Sequence, residues 1–193
     1  MAEVATIGNA TIIAYENGPI LSTDPWFCDE DPAYFGSWIG SHSIPNQYKE
    51  DILKSKFIWF SHGHPDHINP ISLKRFLGKK IFLPDHYGSR IYKDLIAENF
   101  DVEILKDKKW YNLSENIKIQ CVTNLLQDSI LLIEVDKRLF INLNDAGTKY
   151  YEKYIKNLTK NYKENYLLSL SGYGDADMIN FFSESGKKIT KSK

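Results

Sequence analysis

His62, His64 and His67, three of the chain's five histidines, stand with Asp66 in the run SHGHPDH, Ser61 to His67. The run follows the apolar stretch KFIWF. Alternate side chains of a strand share a face, so His62 and His64 aim the same way as that strand ends. Pro65 stiffens the turn that carries Asp66 and His67 just beyond. Neutral imidazole and carboxylate are the ligands that suit zinc, iron or manganese. The competing reading is a solvated polar loop, which is what a lone histidine usually marks. Three histidines and an aspartate at this spacing, directly after a buried strand, favour an ancestral metal site instead.

Such a cluster needs strands to hold it. KFIWF and KIFLP are short apolar runs suited to buried strands, and ISLKRFL and SRIYKDLIAENF are periodic stretches that predict helices. ATIIAYE and PILSTD flank Asn17-Gly18, the dipeptide that best signals a tight hairpin. From Val102 onward VEIL, KWYNL, IKIQCV, SILLIEV and RLFINL read as strands, with Asp136-Lys137 turning between the last two. GTKYYEKYIKNLTKNYKE is helical and polar on one side, and YLLSLS returns as a strand. The intermixing predicts an α/β layered domain over residues 1–185, followed by a loose basic tail, 186–193.

The chain's 193 residues suffice for one domain with a real core, and its net charge of −1 gives no pull toward nucleic acid or an acidic membrane surface. No basic segment precedes a long apolar run at the N-terminus, so a cytoplasmic protein with no membrane partner is expected. Cys28 and Cys121 are too few for a disulfide framework and read as packing residues.

With these residues in view, the chain resembles the metallo-β-lactamase superfamily, whose signature H-x-H-x-D-H follows a strand. His62, His64, Asp66 and His67 match it position for position. GNATIIAYENGPILSTDPWF is similar to the family's opening hairpin, ending here in Asp24, and FINLNDAG resembles the segment whose aspartate bridges two metals, here Asp145. DPWF, AYFGSW, SHGHPDHINP, DSILLIE and SGYGDAD look most like the branch containing CMP-N-acetylneuraminate hydroxylase.

The resemblance implies an αββα sandwich with metal at one edge. It implies one site from His62, His64 and Asp145 and a second from Asp66, His67 and Asp145. Asp66 and His67 are the expected catalytic pair, and one or two zinc ions, or iron or manganese, the expected cofactor. A metal-bound hydroxide would attack an ester, lactone or phosphoester of a small or nucleotide-linked substrate.

The chain departs from the pattern in two places. Asn124 stands where the third histidine is expected, and no histidine follows His86, so the fifth motif is missing and the second half of the sandwich is expected to be short. Asparagine is a weaker zinc ligand than imidazole. His42, in the loop GSWIGSHSIPN, is a candidate for touching substrate or completing the coordination, against simple surface exposure. Asp24 is a candidate to accept a ligand histidine's free ring N–H, against a turn role before Pro25. His86 is read as opening the following helix. SGYGDAD, Ser171 to Asp177, could offer N–H donors to an anion or simply cap a helix. The aromatics of DPWFCDEDPAYFGSW could line a pocket or cover a core.

Three functions compete. The first is a metal-dependent hydrolase. The second is an oxygenase component related to the hydroxylase, which would need a separate iron–sulfur partner because the chain carries no Rieske pattern. The third is a degenerate module that binds metal without catalysis.

Overall fold

Stretches that are apolar at nearly every position become strands buried on both faces, and here they build two stacked sheets. The computed structural model describes residues 2–40, 42–123, 128–147 and 151–169, with the backbone of 181–182 and 188–189. The first sheet holds β1 (Ala2–Gly8), β2 (Thr11–Glu16), β3 (Pro19–Thr23), β4 (Phe57–Trp59), β5 (Lys80–Pro84) and β6 (Asp101–Leu105), in that spatial order. β1 to β3 run antiparallel, and β3, β4, β5 and β6 run parallel. The second sheet holds β7 (Trp110–Asn112), β8 (Ile117–Thr123), β9 (Ser129–Val135), β10 (Arg138–Asn144) and β11 (Asn165–Ser169), in the order β11-β10-β9-β8-β7. β12 (Phe181–Phe182) and β13 (Lys188–Ile189) pair with each other.

Among the described residues, four α-helices cover the outer faces: α1 (Asn46–Lys54), α2 (Pro70–Leu73), α3 (Arg90–Ala97) and α4 (Glu152–Thr159). Strand alternation sorts the side chains into layers. Phe57, Trp59 and Phe82 face Ile119, Leu131 and Ile133 between the sheets. Ile58, Phe60, Ile81 and Leu83 face outward to Ile52, Leu73, Phe76 and Leu95 under α1, α2 and α3. Leu132, Leu139 and Ile141 face the side of α4 that carries Ile155 and Leu158. This is the αββα arrangement. Cys28 and Cys121 are free and buried, as packing residues should be.

Both turn signals hold. Asn17 and Gly18 take φ 54° and 126° in the β2–β3 hairpin, and Asp136 and Lys137 take 49° and 63° between β9 and β10. Three readings need correction. ISLKRFL forms one α-helical turn and a 3₁₀ turn, Lys74–Phe76, rather than a full helix. AEVATIG forms the edge strand β1 and NQYKEDILK the helix α1, both missed because each is half-exposed and weakly patterned. His86 does not open α3, which begins at Arg90 behind Ser89. No helix among the described residues is long and apolar enough to cross a membrane.

Candidate metal centre

Parallel register places the site. Thr23 pairs with Trp59 and Trp59 with Phe82, so the segments after β3, β4 and β5 leave the first sheet at one edge. Ligand sites favour that edge of parallel strands, where loops converge beyond the carboxyl ends. Asp24 follows β3, Ser61 and His62 follow β4, and His86 follows β5. Asp145 arrives from the second sheet, one residue after β10.

The histidine run is then locked from its far side. The amides of His67 and Ile68 donate to the His64 carbonyl at 3.0 and 2.9 Å, closing the turn around Pro65 and Asp66. Asn69 caps α2, its Oδ1 accepting from Ile71 N and Ser72 N at 2.9 and 3.1 Å, with Pro70 in the first turn. Ser72 Oγ donates to Asp31 Oδ2 at 2.7 Å and Arg75 to Asp31 Oδ1 at 2.8 Å, which ties the aromatic loop after β3 to the same helix.

His62, His64 and Asp145 each offer a ligand atom, and these atoms lie within 4.8 Å of one another. His62 Nε2 is 2.7 Å from His64 Nδ1 and 3.5 Å from Asp145 Oδ2. His67 Nε2 is 3.3 Å from the same Asp145 oxygen and 3.5 Å from Asp66 Oδ2. Asp145 thus stands between the two histidine sets. All five residues of the proposed ligand set converge at the sheet edge.

His67 is fully buried, and its Nε2 makes no hydrogen bond of good geometry, with the Asp145 and Asp66 carboxylate oxygens at 3.3 and 3.5 Å. A buried imidazole nitrogen facing two carboxylate oxygens is a donor arrangement suited to a cation. The donor set, imidazole and carboxylate, fits a divalent transition metal. Burial alone would depress the His67 pKa, but the Asp145 and Asp24 carboxylates outweigh it and raise it to about 10. Asp145 is held below the usual carboxylate range, chiefly by His67. Burial, and then the neighbouring His67 and His64, push His62 down.

Four supporting residues surround this set. Asp24 is fully buried at φ 38°, and its Oδ1 accepts from Ser61 N at 2.7 Å and Ser61 Oγ at 3.0 Å. Its Oδ2 faces His67 Nδ1 at 3.5 Å and accepts from Asn144 Nδ2. The geometry therefore favours the ring-orienting reading of Asp24 over the turn reading. Ser61 Oγ also lies 2.9 Å from His62 Nδ1, so one hydroxyl joins that histidine and the aspartate. Tyr34 Oη donates to Asp66 Oδ1 at 2.9 Å, and burial, reinforced by that carboxylate, raises the phenol pKa. Tyr34, Phe35 and Gly36 have φ of 49°, 57° and 91°, a left-handed run uncommon for two aromatic residues.

Ser61, Asn144 and Tyr34 were missed by sequence reasoning. The one legible signal was the aspartate-serine spacing at the ends of adjacent strands. His86 Nε2 is 2.8 Å from Ser129 Oγ, bridging the two sheets beside the cluster. KFIWFSH and KIFLPDH are paired parallel strands each ending in a histidine, which was the available clue. His42 lies over Gly8, where an added Cβ would come within 3.1 Å of its Nε2, and it is not among the grouped donors. Asn124 and SGYGDAD lie outside the described residues.

Comparison with solved structures decides the architecture. Isothiocyanate hydrolase from Delia radicum gut bacteria superposes with a TM-score of 0.62 at 15% identity, over 81% of this chain and 68% of that one. CmlA, a diiron β-hydroxylase from Streptomyces venezuelae, superposes with a TM-score of 0.59 at 15% identity, over 80% of this chain and 32% of that one. The chain has the metallo-β-lactamase fold.

Sequence relatives of this metallo-β-lactamase fold agree with the hydroxylase-like branch. Cytidine monophosphate-N-acetylneuraminic acid hydroxylase of Pan troglodytes is 30% identical over 132 residues, 64% of this chain and 22% of the relative. The inactive human homologue is 21% identical over 132 residues, 64% of this chain and 26% of the relative. The chain therefore spans about a quarter or less of the curated relatives it matches. No protein-family model matches it.

Proposed function

We propose that the chain is a metal-dependent hydrolase that cleaves an ester, lactone or phosphoester of a small or nucleotide-linked substrate. The observation that carries this reading is the buried His67 Nε2 set between the Asp66 and Asp145 carboxylates, beside the His62–His64–Asp145 group. His62, His64 and Asp145 would hold one ion; Asp66, His67 and Asp145 face the place of a second. A divalent ion there supplies Lewis acidity and a water acidified enough to attack near neutral pH. Asp24 orients the His67 ring through Nδ1, leaving Nε2 toward the ligand space. Tyr34 holds one oxygen of Asp66, and the other would face the ion and take up a proton from water bound there. In an ester, the water oxygen joins the acyl carbon, the C–O bond breaks, and the proton passes to the leaving alkoxide.

A second reading, an oxygenase component, is favoured by the hydroxylase relatives and by the superposition on a diiron hydroxylase. Metal content of protein purified without added metal, followed by ester and phosphoester assays of zinc- and iron-loaded samples, separates the two. About two zinc equivalents with hydrolysis supports the first. Tightly held iron, no hydrolysis, and oxygen consumption with a reductant would replace it with the second.

A further inference from the structure

We propose that the cleft between α2 and α3 seats an apolar arm of the substrate, making this a hydrolase for small esters with an aliphatic or aryl acyl group. The inference rests on the hydrolase reading and names the substrate class of that same site. The cleft has a volume of about 820 Å³, within the range of small-molecule sites. Its sheet side is apolar, supplied by Phe60 beyond β4, Leu83 of β5 and Ile104 of β6. Leu73 of α2 and Ile91 and Leu95 of α3 add to it. Of the charged groups that line the same cleft, Lys74, Arg90, Asp94 and Glu98 come from the helical side and Asp128 from the segment just before β9.

Continuity with the metal cluster identifies the occupant. His62 and His64 line this cleft as well as belonging to the grouped donors, so a ligand in it reaches the reacting atoms directly. Gly63 makes that junction possible. A Cβ at Gly63 would fall 3.0 Å from Ile91 Cδ1, so α3 packs its isoleucine straight onto the backbone between the two histidines. A scissile carbonyl over His62 and His64 therefore has apolar wall on one side, where an acyl chain leaves water. Each methylene buried raises affinity about fourfold.

The test uses the full chain with two probes. Metal-free protein is titrated with N-phenyl-1-naphthylamine, an uncharged apolar fluorophore, with 1-octanol as competitor. Zinc-loaded protein is assayed on p-nitrophenyl acetate and p-nitrophenyl octanoate. The expected results are saturable probe binding displaced by octanol, and kcat/KM at least tenfold higher for octanoate than for acetate. Ile91→Trp, which fills the cleft from half-buried α3, should weaken probe binding at least tenfold and abolish the chain-length preference. Ile91→Ala, a milder truncation of the same wall, should move the preference to longer acyl chains.

Probe binding lost in Ile91→Trp without hydrolysis of either ester in the parent protein supports the cleft and overturns the hydrolase reading. Equal hydrolysis of both esters, with probe binding absent or indifferent to both Ile91 variants, overturns the cleft assignment and leaves the hydrolase reading standing.

Discussion

The carboxylate of Asp24 and Nδ1 of His67 face each other across 3.5 Å, both side chains fully buried. The same carboxylate takes two hydrogen bonds from Ser61 and one from Asn144, so one group joins the ends of β3, β4 and β10. Removing it strands three donors and a charged imidazole in the interior. Asp24→Ala is expected to destabilise the fold by about 3 kcal/mol, read from urea unfolding. It should also weaken zinc binding roughly 10- to 100-fold, as loss of a ring-orienting partner does. Unchanged zinc affinity in a folded Asp24→Ala protein would show that the ring needs no such partner.

Tyr34 tests the other carboxylate. Its phenol donates to Asp66 Oδ1 from a half-buried position. Tyr34→Phe keeps the ring packed on Trp38, 4.8 Å between centroids, and removes only the donor. Thermal stability should stay within about 1 kcal/mol of the parent. Metal affinity, measured by competition with a chelator, should fall about tenfold. A fall in stability with no change in affinity would make Tyr34 a loop anchor alone.

The pH dependence of the metal-free protein follows from His67. Its pKa rises from an ordinary 6.5 to about 10 in the folded chain. A raised folded pKa means that the folded state binds the proton more tightly than the unfolded one. The stabilisation is therefore fully present below pH 6.5 and is lost as pH climbs through about 10. Denaturant midpoints in chelator should decline across that window. Zinc competes for the same imidazole and requires it neutral, so apparent zinc affinity should rise with pH over the same range. A flat stability profile in chelator would mean that the Asp24 and Asp145 carboxylates do not hold that proton.

His86 separates a ligand from a neighbour. Burial, and then the charge of His62, lower its pKa, and its Nε2 is engaged by Ser129 at 2.8 Å. His86→Ala should leave zinc stoichiometry by atomic emission unchanged, whereas His62→Ala should remove most bound zinc. Loss of a zinc equivalent in His86→Ala would promote it to a ligand, in the role that Asn124 leaves open.

Local order was legible in the residues because it depends on neighbours a few positions away. Asn17-Gly18 and Asp136-Lys137 specify left-handed turns, and largely apolar runs such as KIFLP and SILLIEV specify strands covered on both sides. The H-x-H-x-D-H cluster was legible as a candidate ligand set because alternate residues at a strand end share a face and Pro65 turns Asp66 and His67 back toward it. The placement of Asp24, Ser61, Tyr34, Asn144 and His86 beside the cluster was decided only by tertiary structure. They lie on separate elements, and no local pattern links a tyrosine in a loop to an aspartate beyond a different strand. The parallel register of β3, β4 and β5 brings three of these segments to one sheet edge. Packing of the second sheet then delivers Asn144 and Asp145 to that edge, where burial turns nearby polar side chains into obligatory partners.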